Sequence, residues 1–333
     1  AELTGCRAHQ ILAEMQKAVD SRVLTSPEPG IYEFSRPARR QEWAKDIPAS
    51  ACTDFHRRIA GLLDRDLPED GDKARRISSH LMKVDNDLSG CRMICRAGGL
   101  HRQSFRNEQA FQCYHKVLVD LDRHRSREAD QLFVEAAVKY SKLSTARHDT
   151  ALVLKLLRRA GARARKRDLL SSLVLLEMHI AKNEWLMANY DRALSHFQAG
   201  WALFETLDDP HLADSVTAFS TFFLFWEGRF RDAVDNYERA SEAVDAYPRS
   251  SFPLLGAITV GYSYATVGSH TQGIGMLDSI RTHCLERGDL YLAAYAIGNI
   301  GEIMLDIRRL DEALQYLKMG AKLADDTDNR WVW

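Results

Sequence analysis

The chain has 333 residues, of which 45% are apolar and 27% are charged, and its formal net charge is −1. This composition is typical of a soluble protein, and the near-neutral charge excludes an overall field favouring nucleic acid or an anionic membrane. The longest apolar stretch, residues 219–226, is too short for a membrane span and contains Ser220 and Thr221. The six cysteines are scattered, so we expect reduced thiols and a cytoplasmic location.

The first 66 residues are predicted to form a small helical segment with one short strand. A helix, a Pro/Gly turn and a strand in this order are typical of the last helix and wing of a winged-helix domain. We therefore expect a partial winged-helix-like segment at 1–66 and a second domain at 73–333. The predicted elements are a helix at 2–24, a turn at 25–30, a strand at 31–34, helices at 37–43 and 50–63, and a polar linker at 66–71.

Three pieces of this part of the chain also resemble a known family. They read Ile-Tyr-Glu-Phe-Ser-Arg-Pro at 31–37, Phe-His-Arg-Arg-Ile-Ala-Gly-Leu-Leu at 55–63 and Ile-Ser-Ser-His-Leu at 77–81. Their order resembles the segment after the nucleotide-binding module in STAND-type and AAA-type bacterial signal-transduction ATPases, although Pro37 stands where that family often has histidine. The resemblance implies a larger transcription regulator with its nucleotide-binding module upstream and tetratricopeptide-like repeats downstream. The chain itself contains no phosphate-binding loop.

Residues 85–188 are predicted to hold two helix pairs, at 88–100 with 105–121 and at 128–143 with 149–163. Cysteines and a histidine in the first pair suggest zinc, but structural zinc sites normally combine two closely spaced ligand couples and the second couple is missing. His56 and His80 lie beside apolar helix residues and are interpreted as structural histidines. We therefore predict no metal site. The residues considered for zinc are Cys91, Cys95, His101 and Cys113.

Residues 155–167 form the strongest positive cluster, with seven basic residues in thirteen and no acid. One interpretation is a contact patch for an acidic partner such as nucleic acid or another domain. The other is a solvated helix end, where the helix dipole favours cations. A surface that binds single-stranded nucleic acid normally has aromatic residues between its basic ones, and this segment has none. The predicted patch residues are Arg158, Arg159, Arg163, Arg165, Lys166 and Arg167.

A short pattern recurs every 40 residues between 189 and 322 (233 − 193 = 313 − 273 = 40). Its anchor is a small residue, Ala193, Ala233, Gly273 or Ala313, and a large apolar residue follows four positions later. Small residues allow helices to approach closely, and the large residue fills the gap on the same face. Constant spacing without strand alternation predicts stacked helix hairpins. First helices are expected at 170–187, 211–227, 251–267 and 290–307, and second helices at 190–206, 230–246, 271–287 and 310–325.

The pattern resembles the tetratricopeptide repeat, with its period stretched from about 34 residues to about 40. The resemblance implies an all-α fold, a right-handed superhelix of hairpins whose first helices line a concave surface. Aromatic and polar residues on that surface would bind a peptide, a protein or a small effector. The alternative is that the rings pack against neighbouring repeats. The predicted surface residues are His179, Lys182, Phe219, Phe222, Thr259, Tyr262, Asn299 and Glu302.

These observations favour a non-enzymatic protein-interaction or effector-sensing region. No Gly-x-Ser-x-Gly or His-Glu-x-x-His motif and no suitable carboxylate pair are present, so we predict no catalytic residue and no cofactor. The alternative function is nucleic-acid binding through residues 155–167. The chain ends on Trp331-Val332-Trp333 without a polar capping helix, so we expect further repeats or pairing with a second copy of the chain.

Overall fold

In the computed structural model, the described residues are 5–104, 106–144, 149–207, 209–241 and 254–327. The chain divides into two compact units, Ala1–Ser104 and Phe105–Trp333. Two sets of predictions lie outside the described residues: those for 242–253, which include the first three residues of the helix expected at 251–267, and those for the chain end at 328–333. Among the described helices, none is both long enough and apolar enough to cross a membrane.

The first unit consists of five helices and one β-hairpin in its described residues. The domain boundary at 67–72 stays a prediction; after this segment a fourth and a fifth helix follow, and both pack with the third. The elements are α1 (Ala8–Asp20), β1 (Leu24–Glu28), β2 (Ile31–Phe34), α2 (Pro37–Lys45), α3 (Ala49–Asp66), α4 (Gly71–Leu81) and α5 (Leu88–Gln103).

The β-hairpin differs from the prediction in its first strand. Residues 25–30 were expected to form a turn, yet β1 pairs antiparallel with β2, with Leu24 opposite Phe34. Proline is tolerated in a two-stranded hairpin, where one edge of each strand faces solvent, so Pro27 does not end β1. The turn itself is short, and Gly30 adopts a positive φ of 82° in it.

The junction between α3 and α4 is organised by a buried lysine. The Lys73 ammonium donates hydrogen bonds to the carbonyl oxygens of Asp64 and Leu67 and pairs with Glu69 at 2.6 Å. The Asp70 carboxylate caps α4 by accepting from the backbone N–H groups of Asp72 and Lys73. Residues 66–71 are therefore a tightly held turn between two packed helices, although the sequence indicated a polar linker.

The second unit is a series of antiparallel helices, in which each helix packs against the next along most of the described chain. This confirms the predicted all-α fold class of tetratricopeptide-like hairpins. The helices are α6 (Asn107–Asp120), α7 (Arg127–Leu143), α8 (Thr150–Lys166), α9 (Leu170–Leu186), α10 (Tyr190–Glu205), α11 (Ala213–Trp226), α12 (Phe230–Ser241), α13 (Leu254–Thr266), α14 (His270–Glu286), α15 (Leu290–Asp306) and α16 (Leu310–Thr327).

The turns inside these hairpins repeat one backbone motif. Gly228 and Gly268 end their helices in the left-handed conformation, as the sequence predicts. In each case the next residue returns its N–H to a carbonyl five residues earlier, as in the bond from Arg229 to Leu224 O. Ala188 and Arg308 adopt the same conformation without glycine. The motif therefore depends on the helix geometry more than on the residue type.

The anchor positions bring paired helices close together. A methyl group at Gly273 would meet the carbonyl oxygen of Gly261 and lie 2.9 Å from the amide nitrogen of Ala265. Leu277, four residues after Gly273, is buried and fills the space above Gly261. Leu317 and Gly301 repeat this contact in the next hairpin. The predicted combination of a small anchor and a large apolar residue thus sets the spacing within α13–α16.

Candidate interaction surface

The first helices α9, α11, α13 and α15 carry the eight residues that the sequence proposed for a binding surface. The structure divides these residues by burial. His179, Lys182, Phe222 and Thr259 are buried. Phe219, Tyr262 and Asn299 are half-buried, and Glu302 is exposed. Half of the set therefore packs inside the hairpin stack, which was the alternative interpretation for the rings.

Phe222 and Thr259 contribute to packing and local geometry. Phe222 lies in a core cluster with Ala181, Ala193 and Phe223. The Thr259 hydroxyl donates to the Gly256 carbonyl oxygen at 2.6 Å, inside its own helix. Neither side chain is presented to a ligand in this conformation.

His179 is a buried histidine that packs against an aromatic ring. Its ring lies edge-on to the Phe219 ring, with centroids 5.0 Å apart. Within the described chain, neither ring nitrogen has a hydrogen-bond partner. Burial, followed by the positive charges of Lys182 and Lys142, holds the pKa of His179 well below its usual value. The imidazole is therefore neutral at neutral pH.

Lys182 is a buried cation that contacts carbonyl groups. Its ammonium donates to the carbonyl oxygens of Ser141 and Ser144, both at 3.2 Å, near the end of α7. The negative end of the α7 dipole favours a cation at this place. Burial nevertheless lowers the pKa of Lys182 to about 8. Lys182 therefore connects α9 to the end of α7 within the core.

A continuous aromatic surface lies at the C-terminal ends of α9, α11 and α13. We use the term aromatic surface for Trp185, Phe225, Trp226 and Tyr262. The rings of Trp185 and Trp226 have centroids 4.5 Å apart, and Phe225 contacts both Trp226 (5.1 Å) and Tyr262 (5.7 Å). Trp226 keeps 48% of its surface exposed, and the other three rings are half-buried.

Two carboxylates on α15 border this surface. The Tyr262 hydroxyl is hydrogen-bonded to Glu302, and Asp306 lies one helical turn beyond Glu302. Desolvation, followed by the charges of Glu302 and Asp306, raises the pKa of Tyr262 to about 12. The pKa of Glu302 is also raised, first by desolvation and then by the negative charge of Asp306. The side chains of Glu302 and Asp306 therefore place two carboxyl groups next to the rings.

Of these six residues, Tyr262 and Glu302 are among those that the sequence proposed. The unusual run of aromatic residues at 222–226 was a signal for Phe225 and Trp226, because one hairpin needs fewer rings. That signal did not say which rings face outward. Trp185 and Asp306 carried no signal, since their role depends on contacts between different hairpins.

The predicted basic patch is largely neutralised by ion pairs within the second unit. Each of its five arginines reaches a carboxylate on a neighbouring segment. Arg163 also donates to the Leu121 and Asp122 carbonyl oxygens, and its guanidinium lies 3.9 Å from the centre of the Phe133 ring. Lys166 is exposed. The pairs are Arg158–Glu184, Arg159–Asp122 (2.7 Å), Arg163–Asp130 (3.4 Å), Arg165–Glu177 (2.5 Å) and Arg167–Asp130 (2.8 Å).

Two histidines of the first unit form a pair. His56 on α3 and His80 on α4 approach to 2.8 Å between their Nδ1 atoms. One Nδ1 must donate and the other accept, so the two rings cannot both be cationic in this arrangement. Desolvation is the main cause that lowers the pKa of both, and Lys83 adds to it. No cluster of three or more metal-ligating side chains occurs among the described residues.

Comparison with known proteins identifies similarity in fold. RapI in its apo form matches with a TM-score of 0.55 and 10% identity, over 77% of this chain and 91% of RapI. A Rap protein in complex with Competence and Sporulation Factor matches with a TM-score of 0.51 and 11% identity, over 86% of this chain and 78% of that one. Aspartyl phosphate phosphatase F from Bacillus subtilis matches with a TM-score of 0.50 and 9% identity, over 95% of this chain and 80% of its own.

At such identities the similarity describes the shared helical-repeat fold. No protein-family model matches the sequence, and no curated protein matches it.

Proposed function

We propose that the second unit is a recognition region that binds a peptide or an exposed segment of a protein and performs no catalysis itself. The observation that carries this proposal is the aromatic surface of Trp185, Phe225, Trp226 and Tyr262. Aromatic rings provide large contact areas at low conformational cost, and the tyrosine hydroxyl adds a polar group that can orient a ligand.

Two observations support recognition over simple packing. Trp226 ends α11 with about half of its surface in solvent, although it lies against three other rings. Exposed aromatic patches on soluble proteins frequently mark interaction sites. One of the fold relatives was solved in complex with Competence and Sporulation Factor, so a related helical-repeat fold has been observed with a bound factor.

The alternative, nucleic-acid binding through residues 155–167, is less well supported. Binding to phosphates requires cations that are free to contact them. Five of the six patch residues already contact carboxylates in the second unit, and Arg163 is buried. We infer that this segment joins neighbouring helices.

We further propose that the chain belongs to a larger cytoplasmic signal-transduction regulator of the STAND or AAA type. The support is the order of the three motifs at 31–37, 55–63 and 77–81. The helix α1 followed by the β1–β2 hairpin agrees with the end of a winged-helix domain. Determining the sequence upstream of Ala1 in the gene tests this proposal, which requires a phosphate-binding loop there.

The binding proposal is tested by selecting a random peptide display library on the full chain. Enriched peptides are then synthesised and measured by isothermal titration calorimetry against the wild type and Trp226→Ala. We expect binding to Trp226→Ala to be weaker by at least about tenfold, because a central exposed aromatic residue contributes strongly to binding. Phe222→Ala is a poor probe, since Phe222 is buried.

Trp43→Ala is the matched control, because Trp43 is similarly exposed (52%) but lies on α2 of the first unit. It should bind the selected peptides as the wild type does. Equal affinity for the wild type and Trp226→Ala would contradict the assignment of the aromatic surface. A library that yields no enriched peptide would contradict the proposed function itself.

A further inference from the structure

The carboxylates beside the aromatic surface lie near the C-terminal end of a helix, where the helix dipole disfavours negative charge. Asp306 is the last residue of α15, and a negative charge at a helix C-terminus is destabilised by the helix dipole. Glu302 precedes it by four residues on the same helix, and two like charges at this spacing repel each other. Both features reduce the stability of the free protein.

No cation compensates these two carboxylates among the described residues. The contrast with neighbouring acids at the same edge of the stack is clear. Arg229 pairs with Glu227 at 3.4 Å and with Asp232 at 2.7 Å. In the last hairpin, Arg309 pairs with Glu312 at 2.5 Å, while Glu302 contacts the uncharged Tyr262 hydroxyl. The raised pKa of Glu302 is consistent with a desolvated and uncompensated charge.

From this arrangement we propose that the aromatic surface, together with Glu302 and Asp306, binds a peptide segment that carries a lysine or arginine side chain. This inference rests on the proposed function and adds the chemical class of the ligand. The apolar stem of a long basic side chain can lie on the Phe225 and Tyr262 rings. Its charged end can then reach both carboxylates, and the ring faces themselves attract cations.

The geometry favours a basic residue over a purely apolar ligand for a physical reason. An apolar ligand on these rings would desolvate Glu302 and Asp306 further without providing a partner for their charges, which is costly. A bound cation removes the repulsion between the two acids and replaces the lost hydration. Arginine is especially suitable, because its planar group can stack on a ring and donate to two carboxylate oxygens.

The test combines a protein variant with a ligand variant. Peptides selected from the display library on the wild-type chain are expected to be enriched in lysine or arginine. In the tightest peptide, arginine is replaced by citrulline, or lysine by norleucine, which removes the charge and keeps most of the shape. Each peptide is measured by calorimetry against the wild type and the double variant Glu302→Gln, Asp306→Asn.

We expect loss of the peptide charge to weaken binding to the wild type by about tenfold and to change binding to the double variant little. The double variant Glu14→Gln, Asp20→Asn controls for net charge, because it removes two acids from α1 in the first unit. It should respond to the peptide change as the wild type does.

Three outcomes overturn the inference. Selected peptides without an excess of basic residues would do so while leaving the proposed peptide-binding function intact. An equal effect of the peptide charge on the wild type and on the Glu302→Gln, Asp306→Asn variant would place the cation elsewhere and would also leave that function intact. Failure to enrich any peptide would remove the proposed function and the inference together.

Discussion

The hairpins at the start of the second unit and those at its end use different chemistry to hold neighbouring helices together. Helices α7–α9 are joined by charged and polar groups, including Arg163, Asp130 and Lys182, which are all buried. Helices α13–α16 are joined by glycine, alanine and leucine, as in the contact of Leu277 with Gly261. Both regions nevertheless form the same antiparallel arrangement of helices.

The comparison shows that one repeat architecture tolerates two kinds of interface with opposite weaknesses. A buried ion pair adds little net stability, yet removing one partner leaves an uncompensated charge and is costly. A close contact between small residues contains no buried charge, but it cannot accept an added methyl group. The α7–α9 region should therefore be sensitive to loss of charge, and the α13–α16 region to gain of volume.

The largest expected effect is in the charged region. Asp130→Asn removes the shared carboxylate of Arg163 and Arg167, which lie 3.4 and 2.8 Å from it. We expect a loss of about 4 kcal/mol in the free energy of unfolding, because the variant leaves the charge of a buried guanidinium without a carboxylate to compensate it. Urea denaturation followed by circular dichroism measures it.

Asp122→Asn is the control for this prediction. It breaks the pair with Arg159, in which both side chains are well exposed (38% and 45%). Solvent screens such a pair, so the loss should stay below about 1 kcal/mol. Similar losses in Asp130→Asn and Asp122→Asn would contradict the view that burial makes the charges of α7–α9 critical.

The second prediction concerns the close-packed region. Gly273→Ala introduces a methyl group against the Gly261 carbonyl oxygen and should cost about 3 kcal/mol, because α13 and α14 must move apart. Gly275→Ala is matched to it in the same helix, since a methyl group there meets no atom within 4 Å. That variant should gain up to about 1 kcal/mol from helix propensity.

Thermal and urea unfolding of the two glycine variants distinguish packing from propensity. If Gly273→Ala were as stable as Gly275→Ala, the small residue would not be setting the distance between these helices.

The third prediction uses pH and has a smaller effect. The pKa of Lys182 is lowered to about 8 from 10.5, so between these values the folded protein has released a proton that the unfolded chain retains. The contribution of Lys182 to stability therefore rises with pH across this window, by about 2 kcal/mol between pH 7 and pH 9.5. Lys182→Met should lack this rise.

The measurement is the difference in unfolding free energy between wild type and Lys182→Met at these two pH values. Lys318→Met removes one positive charge from an exposed position on α16 and should behave as the wild type. A difference between wild type and Lys182→Met that does not change with pH would contradict the buried-cation description of the α7–α9 region.

The sequence by itself determined the regular part of this protein. The recurrence of Ala193, Ala233, Gly273 and Ala313 predicts stacked hairpins, because small residues at constant spacing allow paired helices to approach closely at regular intervals. Gly228 and Gly268 predict turns for a different reason, since glycine adopts a positive φ without steric cost. Tyr262 and Glu302 were proposed by counting back from these anchors to the preceding helix of each hairpin.

Only the tertiary structure decided which side chains face solvent and which charges are paired. Residues 216–226 of α11 are largely apolar on all sides, so helical spacing could not determine that Phe222 is buried while Trp226 is exposed. The sequence could not show that the arginines of 155–167 are paired, whether they formed a contact patch or a solvated helix end, because their carboxylates, such as Asp130 and Glu184, lie on other helices. Burial of His179 and Lys182 likewise depends on neighbouring hairpins, whose positions are set by packing across the whole unit.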